Sequence, residues 1–248
     1  MPIRDAIRAA NGPCTRFISF LEKKHIILYI MPTNPITSVE PFQDAAFAAN
    51  VWRGFQGNVG GGIGVTNYTN LSPDATFGGA TTSWPVDSQN SQGATGAVSV
   101  GYNYDVSQEM IVGVGIENIP VKTSKTYDSK YEGMPLANKI QLGNIFNTYV
   151  TPGYAWDKDR MVYAKLGYSV ATLALETSEP ATASKGLTGY IVGLGYKQII
   201  TGGLYGFVEG NYMNYGKATV NSQFSAYALT TEPTVASTSY AVGVGYKL

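Results

Sequence analysis

From Phe55 to the C-terminus apolar side chains recur at every second position, and no segment keeps the i, i+3, i+4, i+7 stripe of an amphipathic helix for more than about a turn. In residues 93–106 the even positions are Ala94, Gly96, Val98, Val100, Tyr102 and Tyr104, while the odd ones are small or polar. The same alternation fills 110–116, 160–174, 188–197, 204–216 and 239–248, and is less regular over 140–156. With 55–67 added there are about eight such segments of roughly 10 to 15 residues each, the length of a barrel stave. Short turns at 105–108, 157–160 and 200–203 interleave with long polar links at 69–92, 123–138, 177–185 and 221–234. This alternation of link lengths predicts an all-β, eight-stranded antiparallel up-and-down barrel over residues 49–248, with both termini at the short-turn end.

Composition removes the main competitors. Charged residues make up 14% of the chain, against about 25% in soluble domains. The chain is nevertheless too apolar for a disordered protein, and it has no apolar run of the roughly 18 residues that a membrane helix needs. With 17 basic and 17 acidic residues, and no basic cluster beyond Lys24, nucleic acid is not an expected partner. Cys14 is the single cysteine and His25 the single histidine, which leaves residues 49–248 without a thiol or imidazole. Neither a disulfide framework nor a CxxC zinc site can form, and no cofactor or metal is expected.

Residues 1–48 stand apart. Lys23-Lys24, the apolar run from Ile26 to Met31 and the small-residue pattern Ala46-Phe47-Ala48 follow the order of a secretory signal, but Pro32, Pro35 and Pro41 interrupt it. The segment reads as an atypical export signal or as a disordered leader, and both readings exclude it from the fold.

Alternation alone does not say which face meets lipid, because a soluble barrel turns its oily side inward. The aromatics decide. On the apolar face Tyr102, Tyr104, Tyr154, Trp156, Tyr196 and Tyr246 all fall at the short-turn end of their strands, and Tyr190, Tyr212 and Tyr240 form a sparser row near the long links. Two aromatic girdles around a Val/Leu/Ala band are the signature of a bilayer-spanning barrel, since amphipathic rings favour the headgroup level. The expected architecture is therefore a transmembrane β-barrel, with membrane lipid as its first partner.

The opposite face carries Gly101, Gly113, Gly115, Gly193, Gly195, Gly243 and Gly245, so polar side chains are expected to fill the lumen. Parity places Glu117, Lys165, Lys197 and Glu209 there, with Lys139 near the long-link end. Lys165 and Glu209 each lie about six residues from a short turn, which predicts that they pair across a lumen just wide enough to be filled by side chains.

The last strand reads Tyr240-Ala241-Val242-Gly243-Val244-Gly245-Tyr246-Lys247-Leu248, with Tyr240, Val242, Val244, Tyr246 and Leu248 on one face. It resembles the C-terminal assembly signal of bacterial outer-membrane β-barrel proteins, with Leu248 where Phe is usual. Residues 189–196 and 207–216 are similar to strands of the opacity/OmpA-like small barrel families, and the resemblance covers about residues 53–248. It implies residence in the bacterial outer membrane and insertion by the barrel-assembly machinery. It also implies a non-enzymatic role in surface-loop adhesion to host or environmental ligands, or in envelope structure. An extracellular ligand would meet loops 69–92 and 123–138, where Trp84, Tyr127 and Tyr131 are the large side chains available as anchors. A narrow pore, or an OmpW-like conduit for small hydrophobic solutes, is the alternative.

Two sharper motifs fail. Gly60-Gly61-Gly62-Ile63-Gly64 has no following Lys-Ser/Thr to complete a phosphate loop. The enzymes among small outer-membrane barrels rely on a catalytic histidine, which this barrel does not have.

Overall fold

The alternating segments become strands in a computed structural model, which describes residues 51–83, 85–131, 134–177, 182–224 and 227–248. The leader 1–48 and Trp84 lie outside the described residues. The strands are β1 (Gly54–Thr69), β2 (Asp74–Phe77), β3 (Ala80–Ser83), β4 (Gln89–Asp105), β5 (Met110–Ile119), β6 (Thr123–Tyr131), β7 (Met134–Ala155), β8 (Arg160–Thr177), β9 (Thr182–Thr201), β10 (Leu204–Tyr215), β11 (Val220–Phe224), β12 (Tyr227–Thr231) and β13 (Thr234–Lys247). Eight of them pair antiparallel in the ring β1-β4-β5-β7-β8-β9-β10-β13, and pairing of β13 back onto β1 closes it. Closure leaves no free edge in the wall. The three short turns lie at one end, as expected.

The long links are more ordered than their polar composition suggests. β6 folds back on the first half of β7, from Thr123↔Leu142 to Tyr131↔Met134, so the 123–138 link is the tip of a hairpin. The links at 69–92 and 221–234 supply a separate four-stranded sheet in the order β11-β12-β2-β3. Its β2–β3 hairpin turns through Gly78 and Gly79 at φ 57° and 88°, left-handed values that suit glycine.

The irregularity expected over 140–156 has a local cause. The β7–β8 register shifts between Gly143 and Phe146, and Asn144 sits there at φ 50°, a left-handed value that asparagine tolerates better than most residues. This bulge switches the parity of the strand: Ile140 and Leu142 point inward before it, Ile145 and Asn147 after it.

Elsewhere the faces follow the alternation. Val59, Ile63, Val98, Val100, Leu166, Leu194, Val208, Val242 and Val244 are all exposed on the outer wall, Leu194 at 73%. A monomer in water rarely carries so continuous an apolar surface. At the short-turn end this band is bordered by packed rings, with Phe55–Tyr102 centroids at 4.8 Å and Trp156–Tyr196 at 5.9 Å. Tyr190 and Tyr212 approach at 6.5 Å near the other end.

Inside, the expectation of a lumen filled by polar groups is corrected. Its middle is polar, while apolar clusters dominate both ends, beside a few buried hydroxyls such as Thr66 and Ser237. At the long-link end Tyr68, Ile140, Leu142, Leu173, Ile191, Met213, Tyr215 and Val235 belong to a buried apolar cluster. At the short-turn end Trp52, Ile111, Ala155, Met161, Tyr163 and Tyr205 form a second one. The glycines do line the wall, but large side chains from neighbouring strands occupy the space they leave.

Candidate functional site

The polar layer between these clusters is built on inward positions of several staves. Lys165 on β8 places its Nζ 2.6 Å from Oε1 of Glu209 on β10 and 3.0 Å from Oε2 of Glu117 on β5. One cation thus serves two carboxylates, and these three side chains are almost wholly buried. The remaining carboxylate positions are also used. Asn147 donates to Glu117 at 2.8 Å, Asn211 to Glu209 at 2.8 Å, and the Tyr163 hydroxyl to Glu209 at 2.6 Å. Lys165 also lies over the Tyr149 ring, 4.5 Å from its centroid.

Lys197 shares the layer but takes no carboxylate. Its Nζ donates to Gln56 Oε1 at 2.8 Å and sits 4.9 Å and 5.2 Å from the centres of the Tyr163 and Tyr205 rings. Tyr205 in turn donates to Gln56 at 2.9 Å and bonds Asn58. The buried ionisable set of Glu117, Glu209, Lys165 and Lys197 is balanced in formal charge. Among the described residues these four bring together every lumen position the alternation singled out. Lys139 is at the rim, where it pairs with Glu176 at 3.2 Å.

The rings of the layer were missed by sequence reasoning, yet a signal for them existed. Tyr149 pairs across the ladder with Gly115, Tyr163 with Gly195, Tyr205 with Gly245 and Phe207 with Gly243. Each inward aromatic faces an inward glycine, and the ring covers the place where a Cβ would stand: one on Gly115 would lie 2.7 Å from Tyr149 Cζ. Gly195→Ala should therefore push Tyr163 off Glu209 and cost about 1–3 kcal/mol, seen as a lower urea midpoint. If the cost is due to the clash, adding Tyr163→Ala makes the double change smaller than the sum of the two singles.

Trp52 was also missed, since it precedes the first alternating segment. It is 1% exposed beneath the polar layer, edge-on to Tyr205 with ring centroids at 5.6 Å. Asn103 Nδ2 donates to its carbonyl at 3.0 Å, and Lys247 Nζ donates to the Val51 carbonyl at 2.6 Å. What remains open between the two apolar clusters is a cavity of about 30 Å³, lined by Gln56, Asn58, Tyr149, Lys165, Lys197 and Glu209 among others. That is room for a water or two.

No protein-family model matches the chain, and no curated protein matches it. Solved structures do. The outer membrane protein OprG of Pseudomonas aeruginosa is 17% identical and aligns over 79% of this chain and 97% of its own, with a TM-score of 0.50. Outer membrane protease OmpT of Escherichia coli aligns over 79% of this chain and 97% of its own at 10% identity and a TM-score of 0.47. Neisserial surface protein A does so over 78% and 97% at 13% identity and 0.44. The chain has the fold of the small bacterial outer-membrane β-barrels.

With that fold and its apolar exterior, it is an integral outer-membrane barrel; barrels of this kind keep short turns on the periplasmic side and long loops on the extracellular side, and the two ends are named accordingly. The girdle of Tyr102, Tyr104, Tyr154, Trp156, Tyr196 and Tyr246 points outward at the short-turn end of the wall. Tyr240, Val242, Val244, Tyr246 and Leu248 are outward as well, and the Leu248 N–H donates to the Phe55 carbonyl at 2.9 Å across the closing seam. Of the three extracellular aromatics singled out above, Tyr127 packs partly buried against the upper apolar cluster, which restricts what it can offer a ligand. Tyr131 ends β6 opposite Met134 at the hairpin tip.

Proposed function

We propose that this barrel works through its extracellular surface, as an adhesive or envelope-structural protein, and neither conducts solutes nor catalyses a reaction. The observation behind this reading is the occlusion of the lumen. An apolar cluster fills it at each end, and the charged layer between them encloses about 30 Å³. A pore would need a continuous polar path, and a conduit for apolar solutes would have to cross buried charges. The absence of histidine and cysteine from residues 49–248 supports a role without catalysis. The extracellular links are where the chain has invested order, in the β11-β12-β2-β3 sheet and the β6–β7 hairpin. The terminal strand β13 is the segment that would be recognised by the assembly machinery, by augmentation of a sheet edge.

Planar-bilayer recording separates the two readings. The refolded protein should give no single-channel steps. Cells displaying it should adhere to extracellular ligands in a manner lost when residues 69–92 are replaced by a short turn, while the shortened barrel still migrates faster unheated than boiled on SDS gels. Stable conductance steps would favour the narrow pore instead.

A further inference from the structure

The four-stranded extracellular sheet has one open margin. In the order β11-β12-β2-β3, β11 lies against the barrel strand β9, whereas among the described residues nothing pairs with the outer side of β3. All four residues of β3, Ala80, Thr81, Thr82 and Ser83, are exposed. Sheet edges are normally blunted by a lysine, a proline, an inward charge or a bulge. β3 has none of these, and its two threonines favour the extended conformation.

The edge is also held ready. Gly78 and Gly79 are left-handed at both positions of a two-residue turn, the I′ pattern, which makes Phe77 and Ala80 the hydrogen-bonded closing pair. Bonded and non-bonded pairs alternate along an antiparallel ladder. Ala80 and Thr82 therefore bond to β2, while the N–H and C=O of Thr81 and Ser83 point to the open side. At the base of the hairpin Ser72 Oγ accepts from the Val86 N–H at 3.0 Å, which ties the chain leaving β3 to the chain entering β2. The Thr76 and Thr81 hydroxyls bond at 3.0 Å across the two strands. Leu71 and Ala75 are buried, and Val86 packs on the upper apolar cluster of the lumen. Two outward donors and two outward acceptors are thus displayed on a fixed support.

We propose that the outer edge of β3 captures an extended segment of a partner protein as a fifth strand, through the main-chain groups of Thr81 and Ser83. The inference rests on the reading that this barrel works through its extracellular surface. The sheet's side chains set the chemistry of the segment. On one face Asn221, Thr230, Asp74 and Ser83 stand in a row across the sheet, with Thr76 beside Thr81 in the next row. Hydroxyl side chains on the incoming strand prolong these rows. On the other face Phe77, opposite Ala80, is exposed, which suits a β-branched apolar residue beyond Ala80. Asp74 is the one charged residue in the four strands, so an acidic segment is disfavoured.

The test uses the full chain in phospholipid nanodiscs and, as probe, a blocked six-residue peptide of alternating threonine and valine. At ten times its half-saturating concentration the peptide should slow amide exchange at Thr81 and Ser83 about tenfold, with little change at Thr82, whose N–H is already bonded to β2. Thr81→Pro removes one outward N–H and spares the β2–β3 ladder, because proline is tolerated on the open side of an edge strand. It should weaken peptide binding about tenfold, the loss of one main-chain hydrogen bond. Thr81→Val keeps the N–H and should bind as the wild type does. Each variant is first shown to be folded by its heat-dependent migration. Exchange unchanged by the peptide, or equal affinity for the wild type and Thr81→Pro, overturns the proposal. So does an equal loss in Thr81→Val, which would assign the contact to the hydroxyl. A wild-type dimer that Thr81→Pro makes monomeric would give the edge to a second copy and overturn the partner segment. Cell adhesion keeps the two readings apart. Adhesion that survives Thr81→Pro but not replacement of residues 69–92 removes only the edge, whereas adhesion untouched by that replacement removes the reading beneath it.

Discussion

Lys165→Met is expected to destabilise the folded barrel by about 3–5 kcal/mol, the cost of leaving buried charges without their partner. The geometry makes this change worse than the loss of a simple pair. Lys165 is held by Glu209 at 2.6 Å and Glu117 at 3.0 Å, so its removal leaves two carboxylates facing one another across a nearly dry layer. Asn147, Asn211 and Tyr163 still donate to them, but neutral donors do not cancel the repulsion. Exchanging the pair, as Lys165→Glu with Glu209→Lys, should restore only part of the loss, because the new carboxylate then confronts Glu117. Full neutralisation by Glu117→Gln, Lys165→Met and Glu209→Gln should recover most of it. Urea unfolding in lipid vesicles, followed by tryptophan emission, reads all three. A Lys165→Met protein within about 1 kcal/mol of wild type would mean that lumen water hydrates these charges separately.

Trp52→Ala should cost a comparable amount, about 3–5 kcal/mol, since it empties the centre of the periplasmic cluster. Trp52 is 1% exposed and packs on Tyr205, whose hydroxyl holds Gln56 and with it the acceptor for Lys197. The change therefore reaches the charged layer from below. It should not create a channel. The extracellular cluster of Tyr68, Ile140, Leu142, Leu173, Ile191 and Met213 still closes the lumen above that layer. Thermal unfolding checks the first expectation, and a bilayer recording of the same variant checks the second. Conductance steps from Trp52→Ala would show that the tryptophan alone closes the barrel.

Much of the barrel was legible because lipid and turn geometry act residue by residue. The two-residue period, the girdle at Tyr102, Tyr154, Trp156, Tyr196 and Tyr246, and the inward parity of Lys165 and Glu209 can all be counted along one strand. What could not be counted was register. Whether Tyr163 faces Gly195, or Tyr205 faces Gly245, depends on how far neighbouring staves are offset, and that offset is a property of the closed ring. The bulge at Asn144 lies in the same class, since one extra residue turns Ile140 and Leu142 inward against the parity of the rest of β7.

The sequence by itself determined the membrane-spanning barrel, its strand number and the residues that face lipid, because the bilayer demands an apolar exterior at every second position whatever the neighbours do. The tertiary structure alone decided that the lumen is closed. Alternation identifies the inward residues of each strand, but only ring closure sets their heights, and it is by height that Trp52 and Tyr205 form the periplasmic cluster, Leu142 and Met213 belong to the extracellular one, and Lys165 meets Glu117 as well as Glu209 between them.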